Sequence, residues 1–525
     1  MRSENATRNA VVSVGARLTE QILAFVSRTV FIWFLSVEYL GVTSLFSNIL
    51  NVLNVAELGI SMAINVALYK PLADNDKEKV KAYMKLYRKA YFFVGLAVLV
   101  IGVALVPFLP YLMKGTTDVV NVTVIYLIYV AKSVLSYWIY AYKRTLLEAD
   151  QKGYYVNLIS YSLICFFKVI QIFLLFVFKE TPELSFYIYC INDLVVTLVN
   201  NIVISLFVNK RYPYIKEKST LALKKEEKKE LAKNVYGVAL YKISSTLNSA
   251  ADSIIISSFI GTVILGLYSN YLMIATAIIT ILNMLFTSIT SSVGNLNVTE
   301  SVEKKRQIFD NLHLIAFWIN GFCIICLWVL LNPFLVSVWL GPEYRLGELV
   351  IFTMCMNYLV DRLMEAPLRF RNACGLYWQS RYRAVAVVFV NVALSILAVT
   401  VFDLGIPGIL LATIISRLAV TLWIDTNIVH KHVLKTSPKK YYAKYFMSLL
   451  LVIVTGGIIK LICYFMPEDS IIFFMVRVVL CLIIPNLLWW LIFHKTPEYA
   501  YFIKLIKNLL SKVKKIFTKK KANNI

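Results

Sequence analysis

Hydrophobic residues in this chain are gathered into runs of helical length, and short polar connections separate the runs. Because a helix needs about 20 apolar residues to cross a bilayer, each long run is a candidate membrane span. The candidates begin near residues 10, 40, 88, 119, 154, 184, 234, 263, 308, 346, 381, 406, 442 and 470. Polar residues interrupt the first, second and tenth, so a hydropathy criterion alone misses them. The pattern predicts an all-α polytopic membrane protein with about 14 transmembrane helices.

The chain also repeats itself at a nearly constant offset. Residues that recur 225 or 226 positions later are Asn9 (as Asn234), Arg17 (as Lys242), Gly41 (as Gly266), Gly95 (as Gly321) and Pro107 (as Pro333). A constant offset indicates a tandem duplication, and two copies of six spans each have the same orientation. Duplicated helical units are a common transporter plan, with the substrate site between the repeats near the bilayer midplane. The repeat therefore predicts two parallel six-helix lobes and favours transport.

These patterns divide the chain into five parts. We expect an N-terminal six-helix lobe (1–209), a basic cytoplasmic linker (210–233), a C-terminal six-helix lobe (234–434), two additional transmembrane helices (435–496) and a basic amphipathic tail (497–525). We expect no cleavable signal peptide, because Glu4 precedes the first apolar stretch and Arg17, Glu20 and Arg28 interrupt it.

Composition agrees with a membrane protein and not with a nucleic-acid-binding one. Hydrophobic residues make up 59% of the chain and charged residues 16%, whereas soluble chains have about 45–50% apolar residues. The net charge of +24 comes from Lys and Arg that concentrate in alternate connections and in the tail. Short cytoplasmic loops accumulate these residues, so both termini should be cytoplasmic. The tail is predicted to lie on the anionic inner leaflet.

No cofactor or metal site is indicated by the sequence. The eight cysteines are scattered through apolar runs, and the one CxxC pair, Cys323 and Cys326, lies inside a predicted span. The GxxxxGK[ST] phosphate loop is absent from the sequence, which therefore contains no evident ATP-driven motor. Coupling is expected to come from a gradient or a partner.

Charged residues inside the predicted spans are the candidate functional residues. A charge at the centre of a membrane helix costs about 2.5–3.5 kcal/mol on insertion scales, so it normally faces a cavity, a partner or the bundle interior. Cations of this kind occur on several helices of both lobes: Arg17, Arg28, Lys132, Lys242 and Arg417. Together they predict a water-filled cationic cavity for an anionic substrate. Arginine suits phosphate because its planar fork donates two hydrogen bonds at once.

Carboxylates in the spans allow a second role. Glu57, Asp252, Asp361 and Glu365 are candidates for binding a proton or sodium ion. The structural alternative is that the charges pair locally and hold helices together, as Arg17 with Glu20, or Arg362 with Asp361 or Glu365, would do.

Short sequences in a fixed order resemble a known family. They are EYLGV at 38–42, AELGI at 56–60, YKPL at 69–72, GLYSNY at 266–271, GLY at 375–377 and RYR at 381–383. In this order they are similar to bacterial Wzx-type polysaccharide repeat-unit flippases. The resemblance runs through the first twelve spans.

The resemblance implies a fold, a location and a substrate. The fold is that of the multidrug/oligosaccharidyl-lipid/polysaccharide (MOP) exporters, in which two six-helix lobes form a V. The location is the bacterial cytoplasmic membrane. The substrate is a polyprenyl-diphosphate-linked oligosaccharide, moved to the outer leaflet for capsule, O-antigen or other surface polysaccharide. Its diphosphate, with or without acidic sugars, would enter the cationic cavity while the lipid tail stays in the bilayer, and polysaccharide polymerase machinery is an expected partner.

Three other functions remain open at this stage. An ion-coupled multidrug exporter of the same fold should have a more apolar and less cationic pocket. A membrane polymerase or ligase should carry a substantial external loop with catalytic residues, whereas every predicted external loop is short. A scaffolding membrane protein would not need charges on so many spans.

Overall fold

The structure is a computed structural model in which every described element is helical. It describes residues 2–115, 121–217, 221, 223–227, 229, 246–248, 250–376, 379–507 and 511. At helical residues 2–14, 16–18, 55–56, 58–59, 62, 288–289, 291–292 and 294–299, it describes the backbone alone. For this part of the chain, the predicted all-α class is confirmed.

The chain forms two compact units. Unit 1 comprises Met1–Asn270 and Val399–Gly405, and unit 2 comprises Tyr271–Ala398 and Ile406–Ile525. The predicted boundaries at residues 209, 233, 434 and 496 stay predictions.

The α-helices, in chain order, are α1 (Arg2–Phe34), α2 (Val37–Leu53), α3 (Val55–Ala73), α4 (Lys77–Ala104), α5 (Leu109–Leu112), α6 (Val122–Trp138), α7 (Arg144–Ala149), α8 (Gly153–Val177), α9 (Pro182–Arg211), α10 (Thr262–Thr299), α11 (Val302–Pro333), α12 (Glu348–Arg362), α13 (Glu365–Ala373), α14 (Arg381–Thr400), α15 (Gly405–Ser416), α16 (Leu422–Val429), α17 (Lys439–Ile462) and α18 (Ile471–Phe493).

Nine helical segments of the described chain are long and apolar enough to cross a membrane. They correspond to the predicted spans near 88, 154, 184, 263, 308, 381, 406, 442 and 470, and the bent pair Val122–Trp138 with Ala141–Ala149 adds the one near 119. The spans that polar residues interrupt, near 10, 40 and 346, are helical but fail this criterion. The span near 234 begins outside the described residues. The protein is thus a multi-pass membrane protein, and the count of fourteen stays a prediction.

Aromatic side chains hold the first helices of unit 1 together. Phe31 on α1 meets Tyr189 on α9 edge to face, with ring centroids 4.8 Å apart. Tyr39 on α2 contacts Phe186 on α9 at 4.7 Å. Such pairs stabilise packing by about 0.5–1.5 kcal/mol beyond the burial of their area. Their position fixes α1 and α2 against α9, which carries many of the polar residues described below.

The repeat-equivalent glycines Gly41 and Gly266 contact each other within unit 1. A Cβ on Gly41 would lie 2.0 Å from the carbonyl oxygen of Thr262, and one on Gly266 would lie 2.2 Å from that of Val37. Small residues let helix backbones approach this closely in membranes. The first turns of α10 therefore pack directly on the start of α2, and a larger residue has no room at this crossing.

Part of the predicted linker bonds to the start of α4. The ammonium of Lys79 lies 2.7 Å from a carboxylate oxygen of Glu227, and Lys81 donates to Glu217 at 3.1 Å. The hydrogen bond from Lys79 lowers the pKa of Glu227 below its usual value. These pairs tie the chain after α9 to the polar end of α4.

In unit 2, α11 is the central helix. It packs against α12, α13, α17 and α18. Phe317 on α11 lies 4.6 Å from Trp489 on α18, measured between ring centroids. The hydroxyl of Tyr445 on α17 donates to the carbonyl of Val360 on α12 at 2.9 Å. The last two helices are therefore built into the core of unit 2.

Candidate functional site

Unit 1 encloses a polar pocket of about 850 Å³. Helices α1, α2, α3, α4, α6, α7, α8 and α9 contribute to its walls, together with residues 141, 246 and 250. The polar residues that line it are Glu20, Asn48, Asn51, Asn54, Glu57, Tyr91, Lys132, Ser136, Tyr137, Arg144, Lys168, Asn192, Asp193, Thr197, Asn200, Asn201 and Thr246. A pocket with this lining, built from helices of a membrane protein, is the candidate functional site.

One side of α2 supplies three asparagines. Asn48, Asn51 and the capping residue Asn54 recur every third position, so they follow one side of the helix. Phe46 and Ile49 point the other way and are buried in the protein. The amphipathic pattern of α2 therefore turns its apolar side to the core and its amides to the pocket.

Helix α9 supplies a second polar side. Asp193, Thr197, Asn200 and Asn201 follow each other at intervals of four, three and one, which keeps them on adjoining faces of the helix. Among the apolar residues of α9, Phe186, Ile204 and Val208 are buried, and Ile191 and Leu206 are exposed. The pocket thus lies between the polar sides of helices that are otherwise hydrophobic.

A chain of polar contacts runs along the wall formed by α6, α8 and α9. Lys132 donates to one carboxylate oxygen of Asp193 at 3.2 Å, and the Gln171 amide donates to the other at 3.2 Å. Lys168 in turn donates to the Gln171 side-chain oxygen at 2.7 Å. The side chains of Lys132 and Asp193 are 31% and 28% exposed, so this ion pair borders the pocket space.

A second chain of contacts holds Glu57. The Tyr91 hydroxyl donates to Glu57, and the Tyr87 hydroxyl donates to that of Tyr91 at 2.8 Å. Thr145 donates to Tyr87 at 3.3 Å. Tyr87 is fully buried, and Glu57 lines the pocket. These bonds therefore hold the Glu57 carboxylate from the side that faces the protein interior.

Charges of the two signs balance in the lining. The cations are Lys132, Arg144 and Lys168, and the carboxylates are Glu20, Glu57 and Asp193. The cation excess predicted from the sequence is therefore not seen among the described lining residues of this pocket. The predicted cationic cavity also included Arg17 and Lys242; the side chain of Arg17 and the whole of Lys242 lie outside the described part of the chain.

Some of the other predicted residues of unit 1 line the pocket, and others lie outside its lining. Of the predicted cations, Lys132 lines the pocket, whereas Arg28 donates to the Ser269 hydroxyl at 3.1 Å and does not border it. Of the predicted carboxylates, Glu57 lines the pocket, and Asp252 lies on the helical turns before Ile256–Ile260, outside the lining. The structure thus brings Lys132 and Glu57 to one pocket.

The predicted residues of unit 2 are bonded within that unit. Arg417 donates to the carbonyl and side-chain oxygens of Asn357 at 2.7 and 2.6 Å. Asp361 accepts from Arg362, and Glu365 accepts from Arg362 at 3.0 Å and from Arg369 at 2.7 Å. The local pairing of Arg362 with Asp361 and Glu365, one of the two alternatives from sequence, is present.

Further charges in unit 2 are also buried and paired. Arg371 is fully buried and donates to Asp425 at 2.7 Å, and Arg383 lies 3.1 Å from the same carboxylate oxygen. Among the described residues, no group of three His, Cys, Asp or Glu side chains is placed to hold a metal ion.

Sequence reasoning missed Asp193 and the asparagines. Asp193 interrupts an apolar run in the same way as Lys132 does, so the criterion applied to the other charges would have found it. The spacing of Asn48, Asn51 and Asn54 is a helical polar stripe that charge counting overlooks. Amides are uncharged, and their signal is periodicity rather than charge.

Three solved structures resemble this one in fold. The lipid II flippase MurJ in an inward closed conformation matches with a TM-score of 0.63 at 14% sequence identity, over 92% of this chain and 99% of that one. An inward-facing multidrug resistance MATE family transporter of the MOP superfamily matches with 0.59 at 14% identity, over 82% and 99%. MATE in a bent conformation matches with 0.53 at 15% identity, over 83% and 98%. The predicted MATE-like fold is confirmed.

Sequence comparisons show to which family the chain belongs. Among curated proteins, no sequence matches the chain. A family described as "polysaccharide biosynthesis protein" matches residues 6–290, which include every residue that lines the pocket and more than half of the chain. The chain therefore belongs to the polysaccharide biosynthesis protein family.

Proposed function

We propose that this protein is a flippase that moves polyprenyl-diphosphate-linked oligosaccharides from the cytoplasmic to the outer leaflet for surface polysaccharide assembly. The observation that carries the proposal is the 850 Å³ polar pocket inside a unit of apolar helices. Family membership supports a role in polysaccharide biosynthesis. The fold shared with a lipid II flippase and with MATE transporters supports translocation rather than catalysis. The proposed location is the bacterial cytoplasmic membrane, with both termini cytoplasmic.

The size and lining of the pocket suit the head group of such a lipid. Ligand pockets commonly measure about 300–1,000 Å³, and this one lies within that range. Its amides and hydroxyls can bond to sugar hydroxyls, and its lysines can contact phosphate oxygens. The polyprenyl chain is as apolar as the bilayer and would stay in lipid. The proposed movement is alternating access, the plan of transporters built from repeats.

Glu57 is the proposed site of ion coupling. It is the predicted carboxylate that lines the pocket, and Tyr91 donates a hydrogen bond to it. A carboxylate in this place can bind a proton or sodium ion when the pocket is wet and release it when access changes. Asp361 and Glu365 are bonded to arginines in unit 2 and are less suited to the role.

A flipping assay tests the proposal. The full chain would be reconstituted in liposomes containing a polyprenyl-diphosphate oligosaccharide with a fluorescent label on its glycan. A membrane-impermeant quencher then reports the fraction of label that reaches the outer leaflet, with proton or sodium gradients imposed. We expect rapid flipping by the protein and none in empty liposomes. If the protein flips no lipid-linked glycan but exports a cationic dye, the multidrug exporter is the correct function.

A matched pair of variants ties the activity to the pocket. Lys168→Gln removes a pocket cation, and we expect flipping to fall about tenfold, equivalent to about 1.4 kcal/mol. Lys179→Gln makes the same change in an exposed residue just after α8, outside the pocket, and should leave the rate unchanged. Equal rates for the two variants would count against the pocket as the transport site.

A further inference from the structure

We propose that the pocket of unit 1 selects an uncharged glycan, one that carries hydroxyl or acetamido groups and no carboxylate. The inference rests on the proposed function and narrows its substrate class. The pocket is lined by six asparagines: Asn48, Asn51, Asn54, Asn192, Asn200 and Asn201. A side-chain amide both donates and accepts hydrogen bonds, as hydroxyl and acetamido groups do. This lining can therefore both donate hydrogen bonds to the hydroxyl and acetamido groups of a neutral sugar and accept hydrogen bonds from them.

Hydrogen bonds orient four of these amides, and the other half of each amide has no partner among the described residues. Asn48 donates to the carbonyl of Ser44 at 2.8 Å, and its oxygen keeps the capacity to accept. In Asn54 the side-chain oxygen is the bonded group, because it accepts from the Ser133 hydroxyl at 2.5 Å. Its two side-chain N–H groups can therefore donate to a ligand. Fixed amides lose little side-chain entropy when a ligand binds.

Two buried asparagines of α9 also donate a hydrogen bond to a backbone carbonyl, as Asn48 does. Asn192 donates to the carbonyl of Phe167 at 3.4 Å, and Asn201 donates to that of Ser136 at 3.0 Å. The side-chain oxygen of Asn200 is buried and has no partner among the described residues. Because the Asn200 oxygen is buried, the acceptors that the pocket offers are those of Asn48, Asn192 and Asn201, and the donors are at Asn54.

Carboxylates in the lining work against an acidic sugar. Lys132 bonds to Asp193, and the remaining oxygen of Asp193 bonds to Gln171. An incoming uronate would have to displace Asp193 from Lys132 and would then lie beside that carboxylate. Like charges placed together repel, and this repulsion disfavours the wrong ligand. The other cations of the described lining, Arg144 and Lys168, are matched in number by Glu20 and Glu57, so the lining carries no excess positive charge for a uronate.

Asn51 is the residue that best allows a test. It is exposed within the pocket lining, and no hydrogen bond joins its side chain to another described residue. A lysine at this position would add a cation where the native pocket has a neutral amide. Asn427→Lys is the matched control, because Asn427 is exposed on α16 in unit 2 and does not line this pocket.

The experiment compares two labelled lipids in the liposome flipping assay. Both carry a polyprenyl diphosphate; one bears an N-acetylhexosamine disaccharide, and the other has a uronic acid in place of the second sugar. We expect the native protein and Asn427→Lys to flip the neutral lipid at least tenfold faster, and Asn51→Lys to lose or reverse this preference. Equal native rates for the two lipids would overturn the inference while leaving the flippase function intact.

Binding of the free disaccharides separates the two proposals. Calorimetry on the purified full chain would use the same neutral and acidic disaccharides without the lipid. Preferential binding of the neutral sugar supports the inference even if no flipping is observed, a result that would count against the proposed function alone. Preferential binding of the acidic sugar, or flipping of the acidic lipid alone, overturns the inference. Failure to bind or flip any of these probes counts against both.

Discussion

Two groups of charged side chains, one in each unit, differ in how far they are exposed. In unit 1, Lys132 and Asp193 keep 31% and 28% of their side chains exposed, and both line a pocket. In unit 2, Glu365 and Arg371 are fully buried and bonded to charges of opposite sign. Lys132 and Asp193 thus border the candidate site, whereas Glu365 and Arg371 are enclosed in the core and bond to neighbouring side chains.

This difference has a physical basis in hydration. A buried ion pair loses the hydration of both ions and regains it only through close contacts, so removing one partner leaves an uncompensated charge. A pair that borders a pocket keeps part of its hydration, and the loss of its partner costs less. The comparison leads to four predictions, in which stability depends more on buried contacts than on exposed ion pairs.

The largest effect is expected for Glu365→Gln in unit 2. The change removes the carboxylate that Arg362 and Arg369 share, and the free energy of unfolding should fall by about 3–5 kcal/mol. Thermal unfolding of the purified protein in detergent measures it. Glu343→Gln, on an exposed loop residue, is the control. A change below about 1 kcal/mol would show that unit 2 does not depend on its buried charges.

The next effect is expected for Gly41→Ala in unit 1. Its Cβ would lie 2.0 Å from the Thr262 carbonyl oxygen, so α2 and α10 must separate, at a cost of about 1–3 kcal/mol. Gly457→Ala on α17 is the matched control, because a Cβ there meets no atom within 4 Å. The same unfolding measurement applies. Equal stability of the two variants would contradict close backbone packing as the support of unit 1.

A smaller loss of stability, with a change in function, is expected for Asp193→Asn. The Lys132 ammonium would lose its charged partner but keep access to the pocket, so the unfolding free energy should fall by about 1 kcal/mol or less. The freed cation should raise flipping of an acidic lipid-linked glycan relative to a neutral one. A loss of stability as large as that of Glu365→Gln would remove the distinction between the two units.

The smallest effect is expected for Arg345→Gln. Arg345 donates to Glu468 at 2.7 Å across two loops of unit 2, but its side chain is 43% exposed. Exposed pairs contribute about 0.2–1 kcal/mol. Salt should screen the pair, so the difference from the native protein should shrink between low and high ionic strength. A salt-independent loss of several kcal/mol would mean that this pair behaves like the buried ones.

Much of the fold follows from the sequence read alone. Apolar runs locate the long spans, whereas the helices near 10, 40 and 346 do not meet the criterion; two of them, Val37–Leu53 and Glu348–Arg362, are shorter than the 18 residues it requires. The repeat pairs Gly41 with Gly266, and these two glycines contact each other. The candidate site in unit 1 was predicted less completely than the fold. Charge alone singled out Lys132 and Glu57, which line the pocket, but also Arg417, whose guanidinium bonds to Asn357 in unit 2.

Sequence by itself determined the helices, their insertion in a membrane and the pairing of near neighbours such as Arg362 with Glu365. These depend on local hydrophobicity, on hydrogen bonds within a helix and on side chains one turn apart. Only the tertiary structure decided which polar residues share a pocket. Lys132 and Asp193 are 61 residues apart, and Arg371 and Asp425 are 54 apart. Partners this distant meet only when helices pack, and packing decides whether a charge stays hydrated or becomes buried.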